Sequence, residues 1–176
     1  MSDKIMIIDE KDCNIGYEEK QYVHQNNILH RAFSLIIYDE NNEYMLIQKR
    51  ASDKYHSGGL WTNACCSHFT KDDENKMKED IIKERTNHEL KIIINNKIQF
   101  LFKFHYNVKF LNNIYENEID YLYKTHVNIN INIFNYNKNE VSDIKWMKVS
   151  DLQKDILINR NHYTEWFQKI MYLISI

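Results

Sequence analysis

The chain is 176 residues long with 25 acidic and 23 basic side chains, and its formal charge of -2 leaves no global basic field for nucleic acid or acidic membranes. That length suits one domain over residues 1–176 with a single well-buried core. Three cysteines, two of them adjacent and none in a C-x-x-C pair, make no disulfide framework, and no window approaches the roughly 18 apolar residues of a membrane span. The expectation is a soluble, unprocessed, cytoplasmic protein.

Lys4–Ile8 is a short apolar run suited to a strand, followed by a polar turn around Asn14 and Gly16. The next stretch, EEKQYVHQNNILHRAF, carries His24 and His30; a lone His is more often structural or exposed than a ligand. Arg31–Tyr38 and Glu43–Lys49 are strand-like and flank the turn residues DENN, which predicts a hairpin. A loop follows over Arg50–Leu60, where Gly58 and Gly59 can supply positive φ or let a ligand approach the backbone. Asp72–Leu90 reads as a helix, with Asp72 or Asp73 as N-cap and Met77, Ile81, Ile82 and Leu90 on one side. Arg85 and Glu89 are four apart on it and share a face, an arrangement open to a surface ion pair or a functional one.

Lys97–Phe110 is aromatic and strand-like. From Ile119 the apolar residues Tyr121, Tyr123, Val127, Ile129, Ile131 and Ile133 follow a period of two, with the Asn-rich stretch at 128–139 read as strand plus turn. Glu116, Glu118 and Asp120 then share the opposite face, either solvated or functional. Asp143–Val149 is a last strand and Ser150 can cap a short helix. His162–Ile176 is a final amphipathic helix in which Trp166, taken alone, reads as core.

The most reactive stretch is TNACCSH, Thr62 to His68. If it is extended, Cys66 and His68 point one way and Cys65 the other, so Cys65 packs behind while Cys66 faces a site. Pro is absent, Gly occurs three times and Arg four times, as under AT-rich codon pressure, and many surviving GC-coded residues fall between Arg50 and Ala64. His24, His30, His68, Glu116 and Glu118 offer three imidazoles and two carboxylates, a nitrogen and oxygen set suited to Mn, Mg or Zn. They come from distant segments, without a local metal motif such as H-E-x-x-H.

The order and spacing of EEKQYVHQNNILHRAFS, KRASDKYHSGGLWTNACCSH, ERTNHEL, FHYNVKF, YENEIDYLY and TEWF resemble type 1 isopentenyl diphosphate isomerase over nearly the whole chain. The resemblance implies an α/β Nudix-like fold, a mixed sheet flanked by helices, and an enzyme interconverting isopentenyl and dimethylallyl diphosphate. By that likeness Cys66 and Glu118 are the acid/base pair, with Tyr106 orienting or relaying a proton near Glu118. His24, His30, His68, Glu116 and Glu118 would hold Mn2+ or Zn2+, and Glu89 would help hold a substrate-linked Mg2+. Lys20, Arg50, Lys54 and Arg85 would meet the diphosphate, and Trp166 would lie over the reacting carbons. The implied partner is this small diphosphate, with neither nucleic acid nor membrane insertion, in a monomer or homodimer. Ser67, Phe69, Lys91 and Glu165 replace Gly or Pro common in the family, a loss of backbone-shaping residues. Two alternatives stay open: a Nudix diphosphate hydrolase, for which KERTNHEL lacks consecutive glutamates, and a metal-stabilised binding protein.

Overall fold

The structure, a computed structural model, describes residues 3–110, 112–133 and 135–175. In chain order its elements are β1 (Lys4–Ile8), β2 (Asn14–Glu19), α1 (Lys20–Gln25), β3 (His30–Tyr38), β4 (Tyr44–Arg50), β5 (Trp61–Asn63), β6 (Cys65–His68), α2 (Lys78–Leu90), β7 (Gln99–Lys109), β8 (Tyr115–His126), β9 (Val141–Lys148), α3 (Val149–Ile158) and α4 (Glu165–Ile174). The strands form one mixed sheet organised on β3, whose apolar run HRAFSLIIY can lie between two covered faces. Along its length β3 pairs with β8 in parallel, from His30 opposite Glu118 to Tyr38 opposite His126. It also meets β6 antiparallel, with Ala32 opposite His68 and Ser34 opposite Cys66. The predicted hairpin is present, joining β3 to β4 with Ile37 opposite Leu46.

Apolar residues pack on both sides of this sheet. Phe33, Leu35, Ile37 and Cys65 meet Ile81, Ile82 and Leu90 of α2, while Ile36, Met45 and Ile47 meet Leu152, Ile156, Trp166 and Phe167 of α3 and α4. The alternation expected for TNACCSH is seen: Cys65 is fully buried in the first cluster and Cys66 packs beside the second.

Several boundaries differ from the sequence reading. Asn14 and Gly16 are not a turn but lie in β2, with Gly16 opposite Ile7. The chain reverses earlier, where Asp9 Oδ1 accepts from the backbone N–H of Lys11 and Cys13 and Asp12 takes φ 64°. The six-residue α1 that carries His24 was not anticipated. Nor does the helix on α2 begin at Asp72. Thr70 and Asp73 close a capping box on a single 3-10 turn, Lys71–Asp73, and the α-helix starts at Lys78 with Met77 as a 72% exposed N-cap. Lys91 ends α2 in the left-handed region, φ 58°, a conformation that favours Gly.

Strand β8 stops at His126, and no strand covers 128–139 among the described residues. There Asn128 and Asn137 accept bonds from the backbone N–H two residues on, which favours turns over a ladder. The N-cap of α3 is Lys148 and not Ser150, while the last helix starts at Glu165 after a 3-10 turn at Arg160–His162. The expected end at Ile176 lies outside the described residues.

On β8 the open choice between a solvated and a functional acidic face is decided by burial. Ile119 and Tyr121 are only half-buried, whereas Glu116, Glu118 and Asp120 are 4%, 4% and 1% exposed. The acidic face is therefore buried, while on the opposite face Tyr123 packs into the first cluster with Tyr121 against it.

Candidate active site

Burying three carboxylates on one strand requires compensating partners. For Glu118 they are imidazoles: His68 Nε2 lies 2.8 Å and His30 Nε2 3.1 Å from its Oε1. The His24, His30 and His68 rings form a near-equilateral triangle, with centroids 4.8 to 5.2 Å apart. Their donor atoms and a Glu118 oxygen all lie within 4.8 Å of one another. α1 supplies His24, the first residue of β3 supplies His30 and the last of β6 supplies His68.

The electrostatics of this cluster suit a divalent cation. Burial, then the neighbouring His68, pulls His24 down to about 2, and burial with Lys20 nearby pulls His68 well below the ordinary imidazole value. His30 goes the other way: burial opposes its charge, but the hydrogen bond and charge of Glu118 outweigh it. Burial also opposes the Glu118 charge, yet His30, Tyr106 and His24 together bring that carboxyl down to about 2. The neutral His24 and His68 beside the ionised Glu118 are donors that a divalent ion takes, and such an ion would replace the proton that Glu118 favours on His30. Two details aim the rings inward: His30 Nδ1 sits 2.8 Å from the Ile28 carbonyl, and His24 Nε2 is buried with no partner. The residues present therefore fit a metal ion.

Glu116 stands beside this group and not within it. Its Oε1 is 3.9 Å from His24 Nε2 and 2.9 Å from His56 Nε2. The Tyr106 hydroxyl lies between the two glutamates, 2.6 Å from Glu116 Oε2 and 2.7 Å from Glu118 Oε2. Burial and the two carboxylates push the Tyr106 pKa well up, so it keeps its proton.

A cavity of about 80 Å³ opens beside the cluster, and Cys66, Tyr106, Glu118 and Trp166 all line it. The four cations expected to meet a diphosphate, Lys20, Arg50, Lys54 and Arg85, line it too, as does Glu89. Such crowding has a cost: burial, with Arg85, Arg50 and Lys54 nearby, lowers the Lys20 pKa despite the opposing pull of Glu116. The Arg50 guanidinium lies 5.1 Å from the Trp166 ring centroid, and Arg50 Nε and Trp166 Nε1 are both buried without a partner. On α2, Glu84 is exposed and bonds Lys76, whereas Glu89 is buried, accepting from Arg85 Nε at 2.8 Å and Gln48 Nε2 at 3.0 Å.

Several residues around the cavity escaped the sequence reading. His56 was taken only as part of a loop. Ser34 and Asn63 contact the Cys66 sulfur at 2.7 and 3.4 Å, and Ser34 donates to Asp120 Oδ2 at 2.7 Å. Glu140 pairs with both Lys54 and Arg85. The GC-coded residues concentrated at 50–64 mark the segment that carries His56 and Asn63 without singling out either; nothing comparable marks Ser34 or Glu140.

Comparison with known proteins gives the family of the chain. The NUDIX domain family model matches residues 28–167. An isopentenyl-diphosphate Delta-isomerase 2 of Aromatoleum aromaticum is 33% identical over 94% of this chain and 83% of its own length. One of Photorhabdus laumondii is 34% identical over 97% and 92%. Among solved structures, DR0079 from Deinococcus radiodurans superposes with a TM-score of 0.74 at 11% identity, over 96% of this chain and 97% of that one, a likeness of fold alone. With a NUDIX match over most of its length, and a third of its residues shared with these relatives nearly end to end, the chain belongs to the isopentenyl-diphosphate Delta-isomerase family.

Proposed function

We propose that this cavity interconverts isopentenyl and dimethylallyl diphosphate, with Cys66 and Glu118 as the proton-transfer pair. The observation that carries the reading is that both line one small cavity together with Tyr106, Trp166 and four cationic side chains. The reaction adds a proton at the terminal methylene of the alkene and removes one from the carbon nearer the diphosphate. Positive charge develops on the tertiary carbon between them, so an acid and a base must flank the allyl unit and water must be kept out. The shared Tyr106 hydroxyl can pass or orient a proton at Glu118. The indole of Trp166 offers a π face to the developing cation.

Lys20, Arg50, Lys54 and Arg85 would hold the diphosphate, so that binding energy far from the reacting carbons fixes the alkene between the two groups. His24, His30, His68 and Glu118, with Glu116 adjoining, would hold Mn2+ or Zn2+, and Glu89 would help hold Mg2+ arriving with the substrate. Such ions supply positive charge that steadies the carboxylates and the diphosphate.

The test is incubation in D2O with isopentenyl diphosphate, Mg2+ and a trace of Mn2+ or Zn2+. The expected product is dimethylallyl diphosphate deuterated at its new methyl group; phosphate release without isomerisation would instead indicate a hydrolase. Cys66→Ala should lower kcat by about 10^2- to 10^4-fold, as for loss of a proton-transfer group, while leaving pyrophosphate binding intact. Normal turnover in that variant would remove Cys66 from the mechanism.

A further inference from the structure

We propose that His56 is a positioning residue: it aims the Glu116 carboxylate at the ion held by the imidazole cluster and ties the anion-binding loop to that centre. The inference rests on the reading of Glu116 as a ligand. The His56 side chain is 4% exposed, and its Nε2 lies 2.9 Å from Glu116 Oε1. Its ring has little freedom, being stacked on Phe110 at 4.9 Å and edge-on to Tyr55 at 4.5 Å and Trp166 at 6.0 Å. The Nδ1 atom is 3.3 Å from Ser57 Oγ, which leaves Nε2–H to donate to the carboxylate. With Tyr106 against the other oxygen, Glu116 is gripped at both ends.

An oxygen that accepts from His56 has a second lone pair, and this one sits 3.9 Å from His24 Nε2, the buried nitrogen without a partner. The same residue reaches the anion site through its backbone, since its carbonyl accepts from Arg50 Nη2 at 3.4 Å. A merely space-filling His56 would serve the three aromatic contacts but would not need the nitrogen.

The experiment separates these by measuring Mn2+ affinity of the full chain, through chelator competition at one fixed pH. His56→Phe fills the slot without a donor and should weaken Mn2+ binding about 10- to 100-fold, the usual effect of losing a group that orients a ligand. His56→Gln, which keeps an amide N–H near Nε2, should recover most of that loss, while the metal-free His56→Phe protein should stay folded with a thermal midpoint lowered by the donor lost to buried Glu116. If His56→Phe does not fold, His56→Leu serves the same comparison. Wild-type affinity in the donorless variant overturns the inference. Glu116→Gln is measured alongside: if it too binds Mn2+ normally, the assignment of Glu116 as a ligand fails, whereas weak binding there with normal binding in His56→Phe rejects only the role of His56.

Discussion

The Cys66 sulfur lies 2.7 Å from the Ser34 hydroxyl because the two residues are cross-strand partners on β6 and β3. Ser34 gives its one hydrogen to Asp120 Oδ2, so towards the thiol it can only accept. Asp120 is 1% exposed, and its Oδ1 has no partner. Ser34→Ala should therefore strip Asp120 of its one side-chain bond and cost about 1–3 kcal/mol, the usual penalty for a buried group left unsatisfied. It should also lower kcat about 10-fold with little change in KM, as the sulfur loses its anchor. Urea unfolding and steady-state kinetics check both; unchanged stability would mean that water replaces the hydroxyl.

The three thiols should react in order of access. Cys13 is exposed, Cys66 is half-buried on the cavity wall and Cys65 is fully buried. Burial, followed by the charge of Asp120, pushes the Cys66 pKa well up, so it should be alkylated more slowly than Cys13 yet faster than Cys65. Peptide mapping after timed iodoacetamide treatment reads the order, and pyrophosphate with Mg2+ should slow Cys66 alone. Equal rates at Cys65 and Cys66 would contradict the two-sided packing of β6.

Metal removal should cost stability as well as turnover. Three imidazoles and Glu118 converge in a buried volume, so an ion bound there and not in the unfolded chain adds about 2.7 kcal/mol at 100 times its Kd. Calorimetric scans with and without EDTA should show a higher midpoint for the Mn2+-loaded protein, and His68→Ala should remove the difference. A midpoint indifferent to Mn2+ would argue against the site.

Asp12 ties the first turn to the far strands, and its bonds make a pH prediction. Its carboxylate accepts from Arg31 Nε at 2.9 Å, Lys103 Nζ at 2.6 Å and the Tyr121 hydroxyl. Burial would raise its pKa, but Lys103, Tyr121 and Arg31 together outweigh that and hold it below the ordinary 3.8. A depressed folded-state pKa adds stability that is fully present above the unfolded value and is lost as pH falls through the folded one. Asp12→Asn, which tolerates the φ of 64°, should thus be less stable at pH 7, with the gap from wild type closing below about pH 4. Urea midpoints from pH 7 down to pH 3 measure it; a gap independent of pH would assign the effect to packing.

The period-two geometry of an extended chain is local, and so the sequence alone determined which residues share a strand face: Cys66 with His68, and Glu116 with Glu118 and Asp120. The β3–β4 hairpin was legible for the same reason, with polar turn residues between two apolar runs. Family motifs carried the rest of the candidate site. What periodicity could not decide was whether the acidic face of β8 is buried, because that depends on what packs against it; imidazoles from α1, β3 and β6 converge on Glu118 there and compensate its burial. Helix starts slipped where a competing side-chain bond won, as when Asp73 capped a 3-10 turn and delayed α2 to Lys78. His56 and Ser34 acquire their importance only from neighbours far along the chain, at Glu116 and at Cys66 and Asp120. Contacts between segments distant in sequence leave no local periodicity to read, so only the tertiary structure could bring them into view.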